Sequence, residues 1–214
     1  MHTHASGAAC EYAPLAADYD RRWRHYLAAT TERTISALAP RPRERILDVG
    51  CGTGVALARI AADRPTARLS GIDLTPEMLA YARRRLPAAA RLAHADARRL
   101  PFADASFDAA LNLSMLHYLG DPATALSEMA RVLAPGGRLI VTDWCRDFFV
   151  MLLCGFWLKM RRRPLGQMLK AQELIALAEE AGLQLVALKR FRVRPLWGMM
   201  TVSFVKRIQK PART

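Results

Sequence analysis

The sequence contains few features of membrane-spanning, secreted or metal-binding proteins. Its longest apolar run, residues 148–158, is shorter than the roughly 18 residues that a bilayer-spanning helix needs. The N-terminal residues lack the basic start and apolar stretch of a signal peptide. The 4 cysteines include no Cys-x-x-Cys pair, so we predict no zinc site and no disulfide framework. We expect a soluble, cytoplasmic protein that binds no metal.

Acidic residues are scarce in this chain, although its bulk composition is ordinary. Hydrophobic residues make up 52% and charged residues 24% of 214 residues, which excludes disordered and collagen-like chains and is typical of one globular domain. The 32 Lys and Arg against 19 Asp and Glu give a net charge of +13. Such a surface attracts nucleic acid, anionic lipid headgroups or an anionic substrate. A general preference for arginine in an alanine-rich chain is the alternative explanation.

Short apolar runs alternate with helix-length stretches, a pattern typical of βαβ units and a parallel sheet. Predicted strands cover residues 45–49, 67–72, 91–95, 107–111, 138–142, 183–193 and 199–205, with a turn at 135–137 before the fifth. Predicted helices cover residues 15–38, 55–63, 76–86, 122–133 and 172–181. The last two strands have no helix between them and should form an antiparallel hairpin at the sheet edge. We therefore predict an α/β fold, a three-layer αβα Rossmann-like sheet of about seven strands, the last antiparallel.

A glycine-rich loop at residues 50–54 follows the first predicted strand, as in nucleotide-type binding sites. The dinucleotide fingerprint is absent because Val55 or Leu57 stands where its third glycine belongs, and no phosphate-loop Gly-Lys-Ser/Thr occurs. Asp48, just before the loop, would repel a pyrophosphate but suits an ammonium or sulfonium group. S-adenosylmethionine carries both groups. Asp73, at the end of the second strand, is placed to accept hydrogen bonds from ribose hydroxyls.

Several segments, in this order, resemble the class I S-adenosylmethionine-dependent methyltransferases of the ubiquinone/menaquinone-methylase-like group. The matching segments are residues 46–54, 71–79, 96–97 with 100–102, 106–110 continuing to 116–119, and 131–139. The resemblance covers about residues 45–144, and the ordered set is specific although each segment alone is weak. It implies that residues 1–40 form an N-terminal tail and lid helix. Residues 41–214 would form the S-adenosylmethionine-binding domain, with an apolar lid insert at 145–170.

The resemblance implies a cofactor site that several segments build. Around the methionine part it implies the backbone of Gly50, Gly52 and Gly54, the Asp48 carboxylate near the amino group, and Asn112 with Leu113 opposite. Around adenosine it implies Asp73 on the ribose, Leu74 and Met78 beside the adenine, and Asp96 with the Ala97 N–H at the adenine amino group. Tyr19 on the N-terminal helix would cover the cofactor, and ordinary helix packing is its alternative role.

Catalysis needs little from the protein, because a sulfonium methyl group is already activated and requires mainly in-line positioning and exclusion of water. A general base is needed only if the acceptor atom starts protonated. The best-placed base is His117 after the fourth strand, and a packed loop histidine is the alternative interpretation. Asp143 at the end of the fifth strand is the second candidate, with Trp144 beside it as a wall for an apolar acceptor. His25 is the third.

The acceptor class must come from features that the group does not share. Residues 112–115 read Asn-Leu-Ser-Met where an Asn/Asp-Pro-Pro-aromatic motif would mark methylation of nucleic-acid bases, so we do not expect a nucleic-acid partner. The apolar run 148–158 is followed by Lys159, Met160 and three arginines at 161–163. It is interpreted as a lid over an apolar pocket, as a helix at the membrane interface, or as a buried helix.

The sequence therefore predicts an S-adenosylmethionine-dependent methyltransferase that acts on a small apolar acceptor such as a quinol, another aromatic or a lipid-like metabolite. Segment 148–163 would give peripheral membrane contact if it lies at an interface. One alternative is an RNA or protein methyltransferase that uses the basic surface. The other is an S-adenosylmethionine-binding protein without turnover.

Overall fold

The computed structural model describes residues 11–161, 165–194 and 196–208. The predicted tail up to residue 10 and the arginines at 162 and 163 lie outside these residues. The described helices are α1 (Tyr19–Leu38), α2 (Val55–Asp63), α3 (Pro76–Arg85), α4 (Pro122–Val132), α5 (Phe149–Met160) and α6 (Ala171–Glu180). The described strands are β1 (Arg45–Val49), β2 (Arg68–Asp73), β3 (Arg91–His94), β4 (Phe107–Leu113), β5 (Leu133–Trp144), β6 (Leu183–Val193) and β7 (Trp197–Lys206).

The strands form one sheet in the order β3-β2-β1-β4-β5-β7-β6. The first five strands in this order are parallel, and β7 is antiparallel to both β5 and β6. The predicted seven-stranded sheet and its terminal hairpin are confirmed. Because β1 and β4 are neighbours while β2 and β5 lie outside them, the strand order reverses between β1 and β4, where open α/β sheets bind their ligands.

Helices cover both faces of the sheet because alternate strand residues point to opposite sides. On one face, α1, α2 and α3 pack on Ile46, Ala109 and Ile140. On the other face, α4 and α6 pack on the adjacent residues of β1 and β5, Leu47 and Leu139. The three-layer arrangement that the periodicity predicted is therefore present.

Two element boundaries differ from the prediction by more than two residues. Strand β5 begins at Leu133, so the turn predicted at 135–137 is wrong; Leu133 pairs with Phe107, and the register shifts before Ala109. The glycines at 136 and 137 allow this irregular start, because a side chain at Gly137 would lie 2.7 Å from the Ala134 carbonyl oxygen. Helix α1 begins at Tyr19 rather than at residue 15, after a separate 3₁₀ turn.

Candidate functional site

A cleft lies at the carboxyl ends of β1, β2 and β4, at the reversal of strand order. Nine of the residues that the sequence predicted for the cofactor line it: Tyr19, Gly50, Gly52, Asp73, Leu74, Met78, Asp96, Ala97 and Leu113. Asp48, Gly54 and Asn112 are not among the residues that line this cleft. The structure thus gathers most of the predicted set from five separate segments of the chain.

The glycine loop is shaped for a close approach of ligand to backbone. Gly50 and Gly52 have φ angles of 82° and 52°, a conformation that glycine adopts without steric cost. A side chain at Gly50 would lie 2.8 Å from Met115 Cγ. The Asp73 carboxylate accepts hydrogen bonds from the backbone N–H groups of Gly52, at 2.8 Å, and Thr75, at 2.9 Å. Asp73 therefore fixes the loop while its side chain lines the cleft.

The Asp48 carboxylate is buried behind this loop. Its Oδ1 atom has no hydrogen-bond partner among the described residues, and neither does Oδ1 of Asn112 on the adjacent strand. The Asn112 side-chain amide donates to the Val49 carbonyl at 2.7 Å. Burial, and secondarily the charge of Asp73, raises the pKa of Asp48 to about 8. A buried carboxyl with an unused acceptor atom suits a ligand that brings a positive charge and N–H donors.

We expect cofactor affinity to rise as the pH increases from 6 towards 8. A nearby ammonium group lowers the raised pKa of Asp48, so binding below pH 8 releases a proton from this carboxyl. The slope of log affinity against pH therefore approaches +1, about tenfold per pH unit, and vanishes in Asp48→Asn. Calorimetry in buffers of different ionisation enthalpy measures the released proton. The α-amino group of the cofactor itself titrates near pH 8, so the parent and Asp48→Asn are compared only below that pH. Equal proton release by the parent and Asp48→Asn would show that Asp48 does not contact the ammonium group.

Gly54 and Asp20 join the glycine loop to the helices around it. Gly54 is the N-cap residue of α2, with a φ angle of 79°, and a side chain there would lie 3.2 Å from Ala82 Cβ on α3. Asp20 at the start of α1 accepts a hydrogen bond from Thr53 Oγ1 at 2.7 Å and forms an ion pair with Arg85. Arg85 also donates to the Thr53 carbonyl at 2.7 Å. These bonds hold the N-terminal end of α1, and with it Tyr19, over the glycine loop.

The part of the cleft that the resemblance assigns to adenosine contains Leu74, Met78, Asp96 and Ala97. Arg98 forms an ion pair with Asp96 at 2.6 Å, and hydrogen bonds from the Arg98 side chain hold the pKa of this carboxyl below its usual value. Asp96 therefore remains an ionised hydrogen-bond acceptor at neutral pH. Such an acceptor suits an exocyclic amino group.

Hydroxyl groups that the sequence did not single out lie at the opposite end of the cleft. Ser114, at the end of β4, lines the cleft with a φ angle of 55°, and its Oγ lies 2.6 Å from the Tyr26 hydroxyl. Trp144 Nε1 donates to the same tyrosine oxygen at 3.1 Å. The Tyr12 and Tyr118 hydroxyls contact each other, and both residues line the cleft. Among these four hydroxyl-bearing residues, only Tyr118 carried a sequence signal, because it lies in a matched segment.

His117 and Asp143 form a buried hydrogen-bonded pair. His117 Nδ1 lies 2.5 Å from Asp143 Oδ1, and Asp143 Oδ2 accepts the His117 backbone N–H at 3.2 Å. The Trp144 ring stacks on the His117 ring at 4.0 Å between centroids and 8° between planes. His117 Nε2 is buried and has no partner among the described residues. His25, in contrast, is exposed on α1 and bonds only to Arg24 among described groups.

An aromatic cluster lies between this pair and α5. Tyr26, Trp144 and Met199 pack there with Met151 of α5, and Trp197 and Phe191 border them. Met200, the next residue along β7 after Met199, belongs to the core on the α4 side of the sheet. The apolar insert and the closing hairpin therefore meet above the His117–Asp143 pair.

Comparison with known proteins identifies the domain. Residues 47–141 match the family model described as a methyltransferase domain. This chain contains an S-adenosylmethionine-dependent methyltransferase domain. It is 38% identical over 155 residues to a demethylmenaquinone methyltransferase of Beutenbergia cavernae, an alignment that covers 72% of this chain and 60% of the relative. The chain thus spans less than two thirds of the length of that relative.

Solved structures show the same fold for the methyltransferase domain. A complex of the Haloferax volcanii Trm112 methyltransferase activator and a methyltransferase matches with a TM-score of 0.82 at 20% identity, over 92% of this chain and 98% of that chain. The 1,6-didemethyltoxoflavin-N1-methyltransferase of Burkholderia thailandensis, with its substrate and S-adenosylhomocysteine bound, matches with a TM-score of 0.74 at 20% identity, over 96% and 89%. At these identities the likeness establishes the fold alone.

The residues of the methyltransferase domain fit its cofactor, S-adenosylmethionine. Asp73 would hold the ribose, Leu74 and Met78 would flank the adenine, and the glycine loop would receive the methionine part. The unpartnered, buried Asp48 oxygen is the observation that supports a ligand with an ammonium group. No helix among the described residues is both long and apolar enough to cross a bilayer.

Proposed function

We propose that this chain transfers the methyl group of S-adenosylmethionine to a hydroxyl-bearing, largely apolar small molecule, with His117 as the general base. The buried His117–Asp143 pair carries this proposal. Its neighbours in sequence, Met115 and Tyr118, line the cofactor cleft, so the pair adjoins the cleft without forming its surface. The relative from Beutenbergia cavernae is named for demethylmenaquinone, an apolar ring compound that is methylated on carbon, so it supports an apolar acceptor alone. A relative named O-methyltransferase, 32% identical over 182 residues, supports oxygen as the acceptor atom.

Asp143 determines which nitrogen of His117 is basic. The Asp143 carboxylate, 2.5 Å from Nδ1, accepts a hydrogen bond from this nitrogen and so favours the ring tautomer with its proton on Nδ1. Nε2 then holds a free lone pair, and no described residue competes for it. A phenol or quinol hydroxyl that reached Nε2 would transfer its proton to His117 as the oxygen became nucleophilic. When bound, S-adenosylmethionine supplies a methyl group that its sulfonium already activates.

The surroundings of the pair favour an apolar, planar acceptor. The Trp197 ring lies edge-on to the Tyr26 ring, with 5.8 Å between the ring centres. It is tilted against the Trp144 ring, with 5.1 Å between the centres. Aromatic surfaces of this kind bind flat apolar molecules and exclude water, which strengthens the hydrogen bonds within the site. Ser114 and Tyr26 supply hydroxyl groups that orient an oxygen-bearing ring.

The first experiment follows a labelled methyl group. Purified protein, methyl-labelled S-adenosylmethionine and a total extract of the source cells are incubated, and label is counted in the organic phase, nucleic acid and protein. Label in the organic phase supports the proposal. Label in RNA or protein supports a macromolecular acceptor instead. Tight cofactor binding without S-adenosylhomocysteine production in any fraction would indicate a binding protein without turnover.

A further inference from the structure

Helix α5 presents a continuous apolar face to solvent. Its residues at spacings of three and four form one stripe, and their exposed fractions lie between 48% and 72%. We call this stripe the α5 surface; it consists of Phe149, Leu152, Leu153, Phe156, Trp157 and Met160. Met151, on the opposite side of the helix, is fully buried. Soluble monomers rarely leave so many large apolar side chains adjacent to one another in water.

Positive charge borders the α5 surface at both ends. Lys159 lies in the last turn of α5 and Arg161 directly follows the helix, with its guanidinium 5.4 Å from the centre of the Trp157 ring. At the other end, Arg192 of β6 lies 5.4 Å from the Phe148 ring, and exposed Arg194 follows β6. Residues 148–161 contain no Asp or Glu. The nearest acidic side chain in sequence, Asp147, is paired with Arg190 at 3.0 Å.

We propose that the α5 surface docks the protein on an anionic lipid bilayer. An amphipathic helix with large apolar side chains and flanking Lys and Arg lies in the plane of a membrane interface, where it buries the apolar face and attracts anionic headgroups. At 12 residues, α5 is about 18 Å long, too short to cross the apolar core but long enough to lie on it. The +13 net charge of the chain adds long-range attraction to such a surface.

The same charges disfavour a second copy of this chain as the occupant. Two α5 surfaces facing each other would bring Lys159, Arg161, Arg192 and Arg194 of both copies together, with no acidic residue from 148–161 to compensate. An anionic bilayer supplies the missing negative charge and the apolar interior in one partner. Charge complementarity therefore favours the membrane.

Docking would place the site beside the bilayer in which an apolar acceptor dissolves. This consequence rests on the proposed function. The buried side of α5 contributes Met151 to the cluster that contains Trp144, and Trp144 stacks on His117. Met151 and then Trp144 thus lie between the backbone of α5 and the His117–Asp143 pair. An acceptor dissolved in the bilayer would then be close to this pair without first entering bulk water.

Vesicle binding tests the proposal. The full chain is sedimented with vesicles of phosphatidylcholine alone or of phosphatidylcholine with phosphatidylglycerol, at low and high salt. We expect binding to the anionic vesicles that weakens with salt, and a blue shift in Trp157 fluorescence that Trp157→Phe removes. The double variant Leu152→Ser/Phe156→Ser should bind about 100-fold more weakly, because it removes two exposed apolar anchors without touching the buried face.

Matched controls separate docking from misfolding and from the proposed reaction. Val186→Ser, an equally exposed apolar residue on β6, should leave vesicle binding unchanged. Leu152→Ser/Phe156→Ser should bind S-adenosylmethionine as the parent does and methylate a water-soluble phenol equally well. Absent vesicle binding, binding insensitive to the double variant, or a solution dimer that the double variant dissociates would each overturn the proposal. Vesicle binding without methylation of any phenol would leave docking intact and reject the proposed acceptor class.

Discussion

Replacing His117 with glutamine is expected to lower kcat for a phenolic acceptor by about 100- to 10,000-fold, the usual contribution of a general base. Glutamine can still accept a hydrogen bond but cannot take up the proton that Nε2 would receive. Single-turnover kinetics with methyl-labelled S-adenosylmethionine separate this chemical step from product release.

Two further variants make this prediction specific. Asp143→Asn can donate a hydrogen bond to Nδ1 and so moves the ring proton to Nε2, which should lower kcat while the stacking of Trp144 on His117 persists. His25→Gln removes an exposed histidine of α1 and should leave kcat unchanged. Thermal unfolding and cofactor affinity are measured for every variant. A folded His117→Gln protein with parental kcat would show that the pair is structural and that the acceptor atom needs no base.

Replacing Asp73 with alanine is expected to weaken cofactor binding by about 1.5–3 kcal/mol, roughly 10- to 150-fold, through loss of charge-assisted hydrogen bonds. The carboxylate has two tasks, because it accepts the Gly52 and Thr75 backbone N–H groups and also faces the cleft. A cofactor analogue without ribose hydroxyls separates these tasks. Isothermal titration of both ligands with both proteins forms a double-mutant cycle.

The cycle should show strong coupling between Asp73 and the ribose hydroxyls. The analogue should bind the parent weakly and lose little more affinity in Asp73→Ala. Asp63→Ala, which removes an exposed carboxylate from the end of α2, provides the matched control and should bind S-adenosylmethionine normally. If Asp73→Ala weakens both ligands equally, Asp73 acts on the glycine loop and not on the ribose.

Most of the sheet could be predicted because each strand has a local signal. Buried apolar runs such as residues 45–49 and 107–111 end in polar or glycine-rich segments, and these determine where the chain leaves the sheet. The start of β5 was missed because Pro and Gly at 135–137 favour a turn in isolation. There the pairing of Leu133 with Phe107 outweighs local preference. This pairing lies 26 residues apart and leaves no periodic signal.

The cofactor cleft could also be predicted in large part, and the acceptor end could not. Asp73 and the glycine loop lie next to strands whose order along the chain already brings them together. The Ser114–Tyr26 and Tyr12–Tyr118 contacts join residues 88 and 106 positions apart. Ser and Tyr residues at these positions are equally compatible with ordinary packing. Nothing in the sequence distinguishes a role in acceptor binding from a role in packing.

The sequence alone determined the parallel sheet with its reversed last strand, the glycine loop and the carboxylates at the strand ends. These features depend on local periodicity and on residue types with few other uses. Only the tertiary structure decided that His117 and Asp143 form one buried pair, since each was a separate candidate. It also decided which face of α5 is exposed. Both faces of that helix are apolar, so periodicity gives no preference, and the choice depends on the fit of Met151 against Tyr26, Trp144 and Met199.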